Sequence, residues 1–187
     1  MRILHVIPQF AYFGGRTIIG GYSSAVLELS LAQAAVGHEV TVLGYVPAES
    51  GRGRIEEGVD VISIFEDADP GSTSFGLKFL RAAPKWVREH ARRFDVVHNH
   101  SGFADYLLVG GAIARKTPLP VAHTMYCPIP HRGGRWNLPG VPGVLRRGAR
   151  RMNVITAMSQ NVATSMEQFG LGPVVAVPPA VDLEPSP

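Results

Sequence analysis

The apolar positions of this chain follow two alternating periods. "RILHVIP" (2–8) is an almost unbroken apolar run that stops at a proline, as a strand covered on both faces does. From Gly21 to Val36 the spacing turns helical, with Ala25, Leu29, Ala32 and Val36 on one side, and Gly37 supplies the residue that ends the helix. "EVTVLGYV" (39–46) and "VDVISIF" (59–65) return to strand, separated by a Gly/Arg/Glu loop, and "DADPGSTS" (67–74) is a polar loop. Residues 75–93 predict one or two helices, broken near Pro84. The remainder repeats the alternation. Strands are predicted at "DVVHNH" (95–100), "LPVAHTMY" (119–126), "NVITAMS" (153–159) and "PVVAVPP" (173–179). Helices are predicted at "GFADYLLVGGAIARK" (102–116), a basic segment 144–151 and "QNVATSMEQFG" (160–170). A loop rich in Pro, Gly and Arg fills 127–143.

Strands alternating with helices of this length predict βαβ units: an α/β, Rossmann-like three-layer αβα sandwich with a mostly parallel sheet and right-handed crossovers. The ligand crevice of such a sheet lies at the carboxyl ends of its strands. Here that means segments 8–21, 44–54, 66–74, 98–103, 123–137 and 157–161.

Composition narrows the class. A chain of 187 residues that is 45% hydrophobic supports one domain over 1–187 with a proper core. A net charge of +3 suits an anionic ligand or an anionic membrane surface without demanding either. No apolar run approaches the ~20 residues of a membrane span, and the N-terminus reads as a strand rather than a signal peptide. The single cysteine, Cys127, excludes an internal disulfide framework, fits a reducing cytoplasm and reads as a small buried filler rather than a nucleophile.

The candidate chemistry sits at strand ends. Gly20-Gly21 immediately precedes the first helical turn, where free N–H groups and the helix dipole favour a phosphate; the same pair also serves ordinary turn chemistry. Gly14-Gly15 lies further out in the loop. Neither G-x-G-x-x-G nor the P-loop pattern occurs, so the usual dinucleotide and nucleoside-triphosphate signatures are unmet. His98 and His100 flank Asn99 at one strand end, and His123 ends the next. Local spacing supplies no third ligand to "HNH", so no metal site is assigned. Imidazoles with Asn99 and Ser101 at strand ends suit the hydroxyls of a sugar better. Residues 75–94 carry Lys78, Arg81, Lys85, Arg88, Arg92 and Arg93 against Glu89 beside an apolar side. That pattern fits a helix on an anionic membrane, and more commonly a helix packed on the sheet with a solvated basic face. "RRGARR" (146–151) is read likewise, as a phosphate contact or a solvated face. Nucleic acid is not expected, since aromatics do not interleave with the basic residues.

Six motifs in order give the chain a family resemblance. They are "MRILHVIP" with a Gly-Gly before the first helix, "LAQAAVGHEVTVL", "FDVVHNH", "VAHTMY", "VITAMSQNVATSM" and "VVAVPPAVDLEPSP". Together they resemble the N-terminal domain of the family-4 retaining glycosyltransferases of GT-B architecture. The resemblance implies transfer of a sugar from a nucleotide-diphosphate sugar to an acceptor, with retention, and with neither a cofactor nor an obligatory metal. It implies that Gly20 and Gly21 approach the donor diphosphate and that His123 is catalytic, beside the transferred sugar. His98, Asn99, His100, Ser101, Tyr126 and the 127–137 loop become acceptor-binding candidates. It also implies that the donor-nucleotide domain lies outside this chain, to be supplied in cis or trans, so that the chain alone is inactive. A cytoplasmic location is expected, and peripheral contact with the inner membrane face through 75–94 stays open. Two other readings stay open: a subunit of a split transferase, and a non-catalytic sugar- or nucleotide-binding module.

Overall fold

The structure, a computed structural model, describes residues 1–10, 12–13, 17–18, 21–46, 53–55, 58–69, 72–130 and 137–178. Ten strands and five α-helices follow in the order β1 (Arg2–Gln9), β2 (Tyr12–Phe13), β3 (Thr17–Ile18), α1 (Gly21–Ala35), β4 (Glu39–Tyr45), β5 (Gly53–Ile55), β6 (Val59–Ser63), α2 (Thr73–His90), β7 (Val96–Ser101), α3 (Leu107–Lys116), β8 (Val121–Met125), α4 (Val141–Ala149), β9 (Val154–Ala157), α5 (Gln160–Gln168) and β10 (Val175–Ala176). Eight strands form one sheet in the order β10-β9-β8-β7-β1-β4-β6-β5, parallel throughout except for the antiparallel edge strand β5. The α/β, mostly parallel, Rossmann-like fold expected from the alternation is the fold observed.

Side chains alternate along the strands and build a core on each face. On one face α1 lays Val26 and Leu27 against Ile7, Val40, Val42, Val59 and Val61. On the other, α2 to α5 cover Leu4, Val6, Leu43, Val97, Val121, Met125, Ile155 and Ala157. Right-handed crossovers explain the division. The connection from β1 to β4 runs one way across the sheet, whereas β6 to β7 and every later step run the other way, so their helices fall on the opposite face.

Three expectations are corrected. Helix α2 is not broken at Pro84, which lies inside it and is buried. A proline removes one intrahelical hydrogen bond, but Phe75, Phe79, Ala83 and Val87 bury a continuous stripe on the sheet that holds the helix through it. That stripe is what the packed-helix reading of 75–94 expects. The apolar side is in the core, and Lys78, Arg81, Lys85 and Arg88 face water. Cys127, expected to be buried, is exposed. The third correction is an addition: β5 appears within the supposed Gly/Arg/Glu loop, paired with β6. No described helix is long and apolar enough to cross a membrane.

Candidate functional site

Strand order reverses between β1 and β7, and in open parallel sheets the crevice outside such a switch point is where ligands bind. Helix α1 begins beside it. The Tyr22 hydroxyl and Ser23 Oγ both donate to the carbonyl of Gln9, at 3.4 and 3.2 Å, tying the first turn of α1 to the end of β1. Gly21 opens the helix and is exposed, and a Cβ there would meet nothing within 4 Å among the described residues. The first-turn N–H groups of a helix lack intrahelical acceptors, so this end favours an anion. Gly20 lies outside the described residues, as do Gly14, Gly15 and 131–136. Across the crevice, Tyr126 follows β8 directly, and its ring centroid stands 5.8 Å from that of Tyr22. Burial pushes the Tyr126 phenol above its ordinary value, so the hydroxyl keeps its proton.

Alternation divides the predicted site residues between the two faces. His98, His100 and Tyr126 share the α1 face with His5, which pairs with His98 across β1 and β7. His5 Nδ1 and His100 Nε2 lie 2.8 Å apart. His5 Nε2 meets Gln33 Oε1 of α1 at 2.7 Å, and His100 Nδ1 meets the Tyr126 hydroxyl at 3.1 Å. His98 Nε2 contacts Thr124 Oγ1 at 2.7 Å, which in turn contacts Thr156 Oγ1 at 2.7 Å. Desolvation lowers all three imidazoles: His5 to about 4, His98 to about 3 with help from the neighbouring rings, and His100 well below its ordinary value. The third imidazole that spacing within "HNH" did not supply comes from β1. One nitrogen from each of His5, His98 and His100 lies within 4.8 Å of the others, close enough to be a candidate metal set.

Asn99, Ser101 and His123 occupy the opposite face, under α3. His123, expected at a strand end, is the middle residue of β8 and is wholly buried. Its Nδ1 accepts from Asn99 Nδ2 at 2.7 Å, which leaves Nε2–H to donate to Ser101 Oγ at 3.3 Å. Asn99 Nδ2 also donates to the Tyr106 carbonyl at 3.1 Å, while Asn99 Oδ1 is buried without a partner. Burial lowers His123 to about 3, so it is a neutral ring. The six predicted histidine, asparagine, serine and tyrosine positions thus belong to two networks on opposite faces of the sheet.

Sequence reading missed His5, Gln33, Thr124 and Thr156. His5 carried a usable signal, as the one polar residue inside the apolar run of β1. The period-two rule applied to "HNH" already sends Asn99 away from its neighbours. Two concavities among the described residues lie away from the crevice. One of about 370 Å³ sits at the amino ends of the strands, lined in part by Arg2, His38, Asp60 and Arg93. The other, of about 440 Å³, is lined by Gly143, Arg146, Arg147, Arg150 and Arg151 along α4.

Residues 19–185 match the sequence profile of Glycosyltransferase Family 4. The alpha-monoglucosyldiacylglycerol synthase of Acholeplasma laidlawii is 29% identical over 110 residues, which is 58% of this chain and 27% of that enzyme. Among solved structures, sucrose-phosphate synthase from Thermosynechococcus elongatus superposes with a TM-score of 0.65 at 13% identity, over 95% of this chain and 48% of that one. The catalytic domain of starch synthase IV from Arabidopsis thaliana, bound to ADP and acarbose, gives 0.62 at 13% identity over 97% and 52%. Anabaena HepE in complex with UDP and glucose gives 0.59 at 15% identity over 97% and 45%. The chain spans about half the length of these GT-B structures and about a quarter of the lipid glucosyltransferase.

Proposed function

Because the chain belongs to glycosyltransferase family 4, we propose that it is the acceptor-side half of a retaining glycosyltransferase that takes a hexose from a nucleotide-diphosphate sugar. The observation carrying this reading is the open amino end of α1 at the switch point, with Gly21 leaving room for a ligand to touch backbone. In the reaction the bond from the anomeric carbon to the diphosphate oxygen breaks, a bond to an acceptor hydroxyl oxygen forms on the same face, and the hydroxyl proton passes to the departing diphosphate. Negative charge grows on the leaving diphosphate, where the first-turn N–H groups of α1 meet it without reorganisation and without calling on a metal ion. Tyr126 faces Tyr22 over the same crevice, and we assign it to a sugar hydroxyl. His98 and His100 lie below and brace that contact. His123 is enclosed by Asn99 and Ser101, so in this proposal it positions the end of β7 rather than touching the sugar. The second half of the cleft is contributed by a donor-nucleotide domain, in cis or trans.

Calorimetric titration of this chain with UDP-, GDP- and ADP-glucose tests the proposal. Weak binding is expected, and Gly21→Val should abolish it with little change in melting temperature, because the new side chain meets no atom of the described residues. Tight, base-selective binding that survives Gly21→Val would sink the half-site reading and favour a self-sufficient binding module.

A further inference from the structure

We infer that a buried hydrogen-bond chain, Tyr126–His100–His5–Gln33, turns the Tyr126 hydroxyl into a hydrogen-bond acceptor toward the crevice and couples it to helix α1. The direction of the chain follows from its last member. Gln33 presents its oxygen, an acceptor only, to His5 Nε2 at 2.7 Å. His5 therefore carries its proton on Nε2 and offers the Nδ1 lone pair to His100 Nε2 at 2.8 Å. A neutral imidazole has one N–H, so His100 uses Nε2–H for that bond and its Nδ1 accepts from the Tyr126 hydroxyl at 3.1 Å. The phenol proton points inward. What Tyr126 has left for a ligand is its lone pairs, which select a hydroxyl able to donate. His5 and His100 are wholly buried, so no water competes for these bonds, and the lowered proton affinity of both rings keeps each in a single neutral form.

The same geometry separates a relay from a metal centre. Two nitrogens on one tetrahedral zinc stand about 3.3 Å apart, given Zn–N distances of 2.0–2.1 Å. The His5 and His100 nitrogens at 2.8 Å are instead at hydrogen-bonding distance, so one shared proton joins them. Gln33 sits on the helix whose amino end carries Gly21. Displacing α1 along its axis would therefore loosen the polarity of Tyr126. The ligand class rests on the proposed sugar transfer; the proton arrangement does not.

The test uses this chain without any ligand, so its failure would say nothing against the transfer reaction. Two-bond proton–nitrogen NMR on histidine-labelled protein reports which ring nitrogen holds the proton. Wild type and Gln33→Glu, which keeps an acceptor, should both show His5 and His100 as Nε2–H tautomers. Gln33→Lys offers only donors. It should reverse the chain, moving the proton of His100, two links away, to Nδ1. An Nδ1–H tautomer at His100 in wild type, or an unchanged His100 in folded Gln33→Lys, would overturn the inference. A purely structural role for Gln33 would move neither signal. Tyr126→Phe adds a local check: the His100 Nδ1 shift should move to that of a nitrogen without a hydrogen-bond partner, with the tautomer retained.

Discussion

Three buried imidazoles and the partly buried His98 in one small sheet make proton affinity a stability question at the scale of single residues. His5 is lowered to about 4, His98 and His123 to about 3, and His100 well below the ordinary 6.5, each first by desolvation. In the unfolded chain all four regain ordinary values, so below pH 6.5 the unfolded state binds more protons than the folded one. Stability is therefore fully present above that pH and is lost as pH falls toward 4, the reverse of a histidine held charged by a partner. At one unit below 6.5 each ring costs roughly 1 kcal/mol, and the four together several kcal/mol. Urea unfolding at about pH 7.5 and about pH 5.5 should show a large drop in midpoint. His98→Gln, with one ring fewer, should reduce the drop by about a quarter. A midpoint unchanged between the two conditions would mean that the folded rings take up protons freely, and that the networks are wet.

At the scale of elements, period and punctuation made most of the fold legible, and the exceptions have physical causes. Strands β1 and β4 are mostly apolar runs, and α1 forms where the spacing predicts a helix. Its buried face, however, is Ser23, Val26, Leu27 and Ser30 rather than the Ala25, Leu29, Ala32 and Val36 stripe that the spacing marks; Val36 lies beyond the helix and is exposed. Strand β5 was hidden because an edge strand of three residues has no apolar pattern to display. Pro84 was misleading because its local cost is outweighed by burial on a sheet that sequence does not bring into view. The site was half legible. Its residue types pointed to strand-end polar chemistry, but only tertiary pairing reveals that His5 joins His98 and that Asn99 joins His123. Glycines show the same limit. "VGG" in α3 reads as a weak helix, yet a Cβ on Gly111 would lie 2.6 Å from Gly148 Cα and 2.7 Å from its carbonyl oxygen, both backbone atoms of α4. The pair lets two helices touch. Gly111→Ala should force them apart at a cost of about 1–3 kcal/mol, seen as a fall in melting temperature of about 2–4 °C per kcal/mol. Gly143→Ala, also in α4 but meeting nothing within 4 Å, should stabilise slightly. Equal effects from the two changes would refute the close-contact argument.

For the whole molecule, the question is what one wall of a cleft can do. Gly21 is exposed, Phe103 is 60% exposed and Cys127 is exposed, all around the carboxyl ends of the strands. Charge that develops on a leaving diphosphate here would be met by water on its far side. Aligned N–H groups then act in a medium near the dielectric of bulk solvent, where a unit-charge interaction at 4 Å is worth only about 1 kcal/mol, against about 4 kcal/mol at the effective value near a protein surface. Enclosure also excludes water as a competing acceptor. On the proposed reading, an open wall therefore binds a nucleotide sugar weakly and leaves the departing diphosphate exposed to water. We predict that this chain, incubated with radiolabelled UDP-, GDP- or ADP-glucose and a panel of hydroxyl-bearing acceptors, forms no labelled product. On the same reading, adding a donor-nucleotide domain, fused or separate, should restore transfer. In the restored enzyme Gly21→Val should depress turnover strongly. Transfer by the chain alone would place a complete site on this single sheet and remove the need for a second wall.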